Sequence, residues 1–322
     1  MSNSENNVVA EIENVTVIGA GVIGISFAAL YLAHGFQVVV HDVADDIEGR
    51  VKASIEEIKP SLAAMGLNVE GMESRLSFEA DLETAVSRAD VIQENGPERI
   101  GFKRKLWPQI ERFAPAQALL FSSSSGIPIR MQSKGMREPE RLMLGHPVNP
   151  PHIMPLIEMM ANQAAQPALV ERAMGFYRSV GKKPILLRKE LPGFAVNRLQ
   201  TAFLREAILL VRWGVVTVDE VDDIVTHSLG LRWATGGPFL SFHMGGGPTG
   251  FAGFLKHFAT GVQLLWLHSK FTINLLTPSM RRKLLTQIES AYGGSTIKEL
   301  EALRNGRQIA VLQALEKEAA GK

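Results

Sequence analysis

The chain of 322 residues contains no cysteine. That removes disulfides, thiolate nucleophiles and cysteine-based zinc sites in one step. Net charge is nearly absent as well, +1 from 34 basic and 33 acidic residues. Such a balance gives no reason to expect nucleic acid or an anionic membrane as a partner. Charge is also missing locally, since no Asp, Glu, Lys or Arg occurs from Val15 to Val40. A run of that length invites a transmembrane reading. Its glycines (Gly19, Gly21, Gly24, Gly35) and two β-branched runs suit instead a buried parallel strand, its turn and a helix laid on the sheet. The opening segment MSNSENNVVAEIEN is polar and acidic, unlike a signal or transit peptide, so a cytoplasmic location is expected. With 46% hydrophobic and 21% charged residues the composition is that of a soluble globular protein, and the length suits two domains. Neither an internal repeat nor a low-complexity segment is present.

What is there is organised around Val15 to Asp42. A β-branched run, Val15 to Ile18, ends in Gly19-Ala20-Gly21-Val22-Ile23-Gly24. An apolar helical segment runs to about His34, Gly35 stops it, and Val38 to Val40 lead to Asp42. This is a strand, a G-x-G-x-x-G turn, a helix and a strand, with an acid 18 positions after the third glycine. Gly19 permits the tight turn, Gly21 lets backbone approach a pyrophosphate, and Gly24 lets helix and strand pack closely. The N–H groups of Val22, Ile23 and Gly24 open the helix, where a diphosphate is held by free donors and the positive dipole end. Asp42 is placed to accept both ribose hydroxyls and to repel a 2′-phosphate. No Arg or Lys follows before Arg50, so NAD is expected over NADP.

Further along, residues 45–66 read as a helix carrying Ile47, Val51, Ile55 and Ile58 and ending near Pro60 and Gly66. Phe78 is read as the beginning of a short strand, followed by a helix over 82–87 and a fourth strand over 89–93. The loop Glu94-Asn95-Gly96-Pro97-Glu98 falls at that strand's carboxyl end, where open α/β sheets bind ligands. Glu98 and Lys103 are therefore candidates for the nicotinamide side of the cofactor, with a capped helix start and a solvated charge pair as the competing reading. After a helix over 102–113 and a buried strand over 118–121, Ser122-Ser123-Ser124-Ser125-Gly126 can either cap the next helix or hydrogen-bond a ligand. His146 ends an apolar strand before the turn Pro147-Val148-Asn149-Pro150-Pro151, and Pro155 to Met160 returns as another, with Glu158 in its middle. A carboxylate there is costly unless paired. Strands joined by a stiff turn can bring His146 and Glu158 into hydrogen-bond reach, fixing the tautomer and leaving the other imidazole nitrogen as a base. A core histidine beside a sheet-edge glutamate is the competing reading.

GAGVIG, IQENGPERIGFKRKLW, SSSSGIP, GHPVNPPHIMPLIEM and LPGFAVNRL together resemble the L-3-hydroxyacyl-CoA dehydrogenase superfamily, which includes the L-gulonate 3-dehydrogenase (lambda-crystallin) and L-carnitine 3-dehydrogenase branches. The resemblance spans residues 15 to about 240 and implies a Rossmann-type doubly wound α/β domain over 1–190, then an all-α domain over 191–322 that binds substrate and pairs subunits into a homodimer. It also implies His146 as general base, Glu158 as its partner, Ser125 and Asn197 on the reacting oxygen, and Asp42, Glu98 and Lys103 at cofactor positions. NAD is the cofactor it implies; no metal is required by the expected chemistry, and no ligand cluster in the sequence argues for one.

In the C-terminal part, 197–213 reads as an amphipathic helix stopped by Gly214, and Thr217 with Glu220 as the capping box of a helix closed by Gly230. Residues 233–255 carry no formal charge but seven glycines and two prolines, which suggests a packed, irregular region. Thr296 with Glu299 caps a last helix, whose Leu300, Leu303, Ile309, Leu312 and Leu315 make a core or dimer face.

The expected reaction is interconversion of a secondary alcohol at C3 and its ketone. The turn HPVNPP differs from the HFFNP of CoA-type members, and 45–60 is poor in lysines for CoA phosphates. IQENGPERI, the stretch Gly230 to Trp233 and GGPFLSFHMGGG resemble the carnitine and gulonate branch. Trp233, Phe239 and Phe242 are either part of an aromatic cage for a quaternary ammonium or core aromatics. Asn197 and Val148 depart from the carnitine branch, which tends to have Asp and Phe there. A free, small L-3-hydroxy acid is therefore expected, with carnitine one candidate. A 3-hydroxyacyl-CoA dehydrogenase of fatty acid metabolism and a non-catalytic NAD(H)-binding structural protein are the alternatives.

Overall fold

A computed structural model describes residues 12–271 and 276–321. These divide into two compact units. One reaches to Asn197 and includes Asn305–Gln313; the other comprises Arg198–Arg304 and the chain from Ala314.

The first unit is an eight-stranded sheet: β1 (Asn14–Ile18), β2 (Gln37–His41), β3 (Leu76–Phe78), β4 (Val91–Glu94), β5 (Leu119–Ser122), β6 (Leu142–Pro147), β7 (Leu156–Met160) and β8 (Lys183–Leu186). Their order is β3-β2-β1-β4-β5-β6-β7-β8. Every neighbouring pair is parallel except β6 with β7, where the chain turns straight back. Helices α1 (Val22–Ala33), α2 (Ile47–Ala64), α3 (Leu82–Val86), α4 (Ile100–Phe113), α5 (Ile129–Gln132) and α6 (Pro167–Ser179) connect the strands. Period-2 alternation sends Val15, Val17, Leu119, Phe121 and Met143 into one core cluster, with Phe27, Tyr31, Phe176 and Tyr177. Ile18, Ile92, Leu120, Leu142 and Leu144 join another, with Trp107 and Phe194. The strand order reverses between β1 and β4, and the crevice beyond their carboxyl ends is the ligand position of such sheets.

Three local expectations are corrected here. Phe78 ends β3 instead of beginning it, because the preceding Leu76 and Ser77 already pair with Val38 and Val39. Glu94 closes β4 and is fully buried, paired in register with Ile18 and Ser122, so it is not part of the loop. Pro60 lies within α2, which ends at Ala64, two residues before Gly66 with φ +79°.

The second unit is helical: α7 (Val196–Trp213), α8 (Val218–Ile224), α9 (Gly230–Gly245), α10 (Gly250–Phe271), α11 (Pro278–Tyr292) and α12 (Ile297–Ala320), of which α7 begins and α12 partly lies in the first unit. Glu220 accepts the Thr217 N–H at 2.8 Å and Glu299 the Thr296 N–H at 2.7 Å, as the capping pattern predicts. Gly230 does not close a helix; at φ −59°, ψ −48° it continues through a widened turn, Val225–Leu229, into α9. The glycine-rich stretch 233–255 is likewise helical, not irregular. Its glycines act at the breaks: Gly237 has φ +64°, Pro238 follows it, and Gly246 to Gly250 separate α9 from α10. Ile309 is buried in α12, whereas Leu303 is 51% exposed. No described helix is long and apolar enough to cross a membrane.

Candidate active site

At the fingerprint turn, Gly19 has φ +86° and its α-hydrogen faces the Asn95 carbonyl so closely that a Cβ would lie 2.8 Å from that carbon. Gly24 is equally constrained, since a Cβ would meet the Gly19 oxygen at 1.9 Å. Gly21 is different: a Cβ there would point into open space, as a surface left bare for a ligand requires. No side chain caps α1, so the N–H groups of Val22, Ile23 and Gly24 keep their donors outward, and Val22 is 72% exposed. Asp42 follows β2 and accepts the Ala20 N–H at 2.7 Å on one oxygen and the Ala44 N–H at 2.9 Å on the other. Each oxygen retains a lone pair for a ribose hydroxyl. Arg50 reaches back to the Ala20 carbonyl at 3.4 Å. A dinucleotide fits this set: open glycine, uncapped helix start and an acid at the neighbouring strand end.

Glu98 and Lys103 are held differently from each other. Lys103 is buried and donates to both oxygens of Glu94, at 2.9 and 2.8 Å; it lies 3.8 Å from Glu98. Burial pushes the Glu94 carboxyl above its usual range despite Lys103, the Gly96 N–H and the Ser122 hydroxyl. Glu98 turns to the serine run, where one oxygen accepts the Ser124 hydroxyl at 2.6 Å and the N–H groups of Ser125 and Gly126 at 3.0 and 2.9 Å. Three of the four serines face inward: Ser122 binds Glu94, Ser123 bonds to Asn95 at 2.7 Å, and Ser124 caps the Ile127 N–H at 2.9 Å. Ser125 alone is exposed, and its carbonyl accepts from Asn197 Nδ2 at 3.0 Å.

His146 and Glu158 are opposite residues of the β6–β7 pair and face the same side of the sheet. His146 Nδ1 donates to Glu158 Oε2 at 2.8 Å; both are almost fully buried. The other carboxylate oxygen receives the N–H groups of Ala195 and Val196, each at 2.9 Å, at the start of α7. Burial pushes the Glu158 carboxyl up, but the hydrogen bonds from His146, Val196 and Ala195 outweigh it, and the group sits below the usual carboxylate range. Phe194, held at φ +49° behind Gly193, lays its ring 5.5 Å from the imidazole and closes that side of it. The structure thus gathers all four expected residues, His146 on Glu158, Glu158 on the start of α7, and Asn197 of that helix on Ser125.

The sequence pattern of the 3-hydroxyacyl-CoA dehydrogenase NAD binding domain matches residues 14–191, and that of the C-terminal domain matches 193–264. The chain belongs to the 3-hydroxyacyl-CoA dehydrogenase family. It is 37% identical to an L-carnitine dehydrogenase of Bacillus cereus over 95% of this chain and 93% of the relative. An L-carnitine dehydrogenase of Burkholderia mallei is 36% identical over 96% and 95%. Among solved structures, an NAD+-dependent 5-formyl-3-hydroxy-2-methylpyridine 4-carboxylic acid 5-dehydrogenase superimposes with a TM-score of 0.78 at 30% identity, covering 95% of this chain and 99% of that one. This family member is an NAD-dependent oxidoreductase acting on a CH–OH group, with a Rossmann-type sheet domain followed by helices.

Sequence reasoning missed several buried polar groups of the site. Glu94 as the partner of Lys103 is one, and an acid two positions after the apolar run Val91-Ile92 was its signal. Gln93 is another: it accepts from Tyr31 at 2.9 Å and Tyr177 at 2.8 Å while its amide donates to Ser123. The Tyr177 hydroxyl also explains Gly145, where a Cβ would lie 1.9 Å from it. Trp233, Phe239 and Phe242 pack on Phe203, Phe251 and Phe254 respectively and stay 41%, 77% and 44% exposed.

Proposed function

We propose that the protein interconverts a free, small L-3-hydroxy acid and its 3-keto form, with L-carnitine the first candidate. The hydrogen bond from His146 Nδ1 to Glu158 is the observation that carries this reading. With Nδ1 committed as donor to a carboxylate, Nε2 is left as the acceptor for the substrate hydroxyl proton. Glu158 remains ionised because α7 and His146 supply its donors, and it steadies the imidazolium that forms. Ser125 and Asn197 hold the reacting oxygen; NAD, held by the Gly19 to Gly24 turn, α1 and Asp42, supplies the hydride acceptor when bound. Glu98 fixes the serine run and Lys103 holds Glu94 beneath it, so both support the nicotinamide side from behind.

A free acid is favoured over a CoA thioester by the carnitine dehydrogenases among the relatives and by α2. Its two lysines are engaged by glutamates, Lys52 with Glu48 and Lys59 with Glu56 and Glu73, and are not set to receive phosphates. Exposed Leu264, Leu265 and Trp266 on α10 suit a homodimer contact, which sedimentation tests directly.

The deciding experiment is NADH formation at mildly alkaline pH with L-carnitine, L-gulonate, L-3-hydroxybutyrate and L-3-hydroxybutyryl-CoA, using the wild type and His146→Ala. A free acid is expected to react best, and the variant to lose about a hundred- to ten-thousandfold in turnover while still binding NADH. Activity on the thioester alone would move the protein to acyl-CoA chemistry, and a fully active variant would remove the base assignment.

A further inference from the structure

The turn between β6 and β7 is held by groups that the reaction does not use. His152 lies in it, 5% exposed, and Ser26 lies in α1, 2% exposed. They are joined twice: the His152 N–H donates to Ser26 Oγ at 2.9 Å, and Ser26 Oγ lies 2.8 Å from His152 Nδ1. The Ser26 oxygen accepts the backbone N–H on a lone pair, which leaves its one proton available to Nδ1 as acceptor. Lys182, also buried, donates to the carbonyls of Pro151 and Met154 in the same turn, the latter at 2.8 Å. Inside the turn, Ile153 and Met154 both donate back to the Pro150 carbonyl at 3.0 Å.

Ser26 is two residues beyond Gly24, and about 6 Å along the axis from Val22 at 1.5 Å per residue. The same short helix therefore presents its uncapped N-terminus to a diphosphate and its Ser26 to the turn that follows His146. A serine inside an otherwise apolar helix, Val22–Ala33, is out of character with its surroundings. Its hydroxyl is satisfied by residues 126 positions away.

We propose that Ser26 and His152 are positioning residues: their double contact ties the cofactor-binding helix to the catalytic turn, so that seating the dinucleotide steadies His146. This rests on His146 being the base. The link touches neither substrate nor cofactor, and it works through the Nδ1 acceptor rather than through the bulk of the ring.

The test uses the full chain and two substitutions of His152 that differ in the acceptor. His152→Asn places a carbonyl oxygen near the position of Nδ1; His152→Leu keeps the volume and removes the acceptor. NADH affinity, turnover of L-carnitine, and amide exchange of residues 148–154 with and without NADH are measured for both and for Ser26→Ala. NADH is expected to slow exchange in the turn of the wild type and of His152→Asn. In His152→Leu and Ser26→Ala that slowing is lost and kcat falls about tenfold, the worth of the Nδ1 hydrogen bond that both variants lose, while NADH affinity stays within about threefold. Asn and Leu variants that behave alike would overturn the link, as would a Ser26→Ala protein with full turnover and full NADH-dependent protection. Exchange with NADH alone requires no substrate, so an inactive panel would count against the proposed reaction and leave this result readable.

Discussion

Glu158 Oε2 takes the Nδ1 proton of His146 while Oε1 takes two backbone N–H groups from the first turn of α7. One carboxylate thus orients the imidazole and anchors the helix that carries Asn197. Glu158→Gln keeps the shape but presents an amide N–H to Nδ1, driving the histidine proton to Nε2. Turnover should fall by about 10⁴, the scale of a wrong-tautomer substitution in a hydrolytic triad, with NADH affinity unchanged. Stopped-flow turnover and a NADH titration check this; a loss below tenfold would mean that the carboxylate does not set the tautomer.

Asp42 holds the Ala20 N–H beside the fingerprint turn, and Arg50 lies against the Ala20 carbonyl. Asp42→Asn removes the charge and leaves Arg50 to meet a 2′-phosphate. The NAD-to-NADP ratio of kcat/KM is expected to drop at least about tenfold, since a charge-assisted hydrogen bond contributes roughly 1.5–3 kcal/mol. An unchanged ratio would sink the ribose assignment.

Lys103 with Glu94 is a buried pair, and removing one partner strands the other. Lys103→Met should lower stability by about 3–5 kcal/mol, while Lys103→Met with Glu94→Gln should recover most of it. Denaturant midpoints decide; a fully stable single variant that loses only NAD affinity would place the lysine on the cofactor instead.

Burial pushes the Lys182 ammonium down to about 7. The unfolded chain keeps this proton to about pH 10, so it binds more protons than the folded chain between pH 7 and 10, and stability rises with pH over that window. Lys182→Met should flatten the rise between pH 7.5 and 9.5, measured as the denaturant midpoint. At the acid end the sign is opposite: Glu158, held below its usual range, contributes stability above that range and loses it as pH falls through the folded value.

The fingerprint, the strand run and the His146–Glu158 pair are legible because each has a local signature: glycines at fixed spacing, β-branched runs, a carboxylate where only a partner makes it tolerable. Ser125 is distinguishable from its three neighbours only by the resemblance, since exposure is a property of the folded loop. Gly230 misleads because a glycine after a capped helix usually stops it; here its backbone angles are helical. The long-range partners stay hidden for a physical reason. Ser26 with His152 and Gln93 with two tyrosines are pairings chosen by sheet order, which no short window of sequence contains.

The reversal of direction at β6–β7 has a further consequence. Had β7 continued the parallel pattern, a crossover helix would separate His146 from the carboxylate that accepts its Nδ1 N–H. Instead the two are 12 residues apart on one uninterrupted stretch. Histidine and glutamate are therefore inherited as a unit: a recombination event or a graft that carries this single segment transplants the hydrogen-bonded pair whole, and the rest of the chain can diverge without separating them.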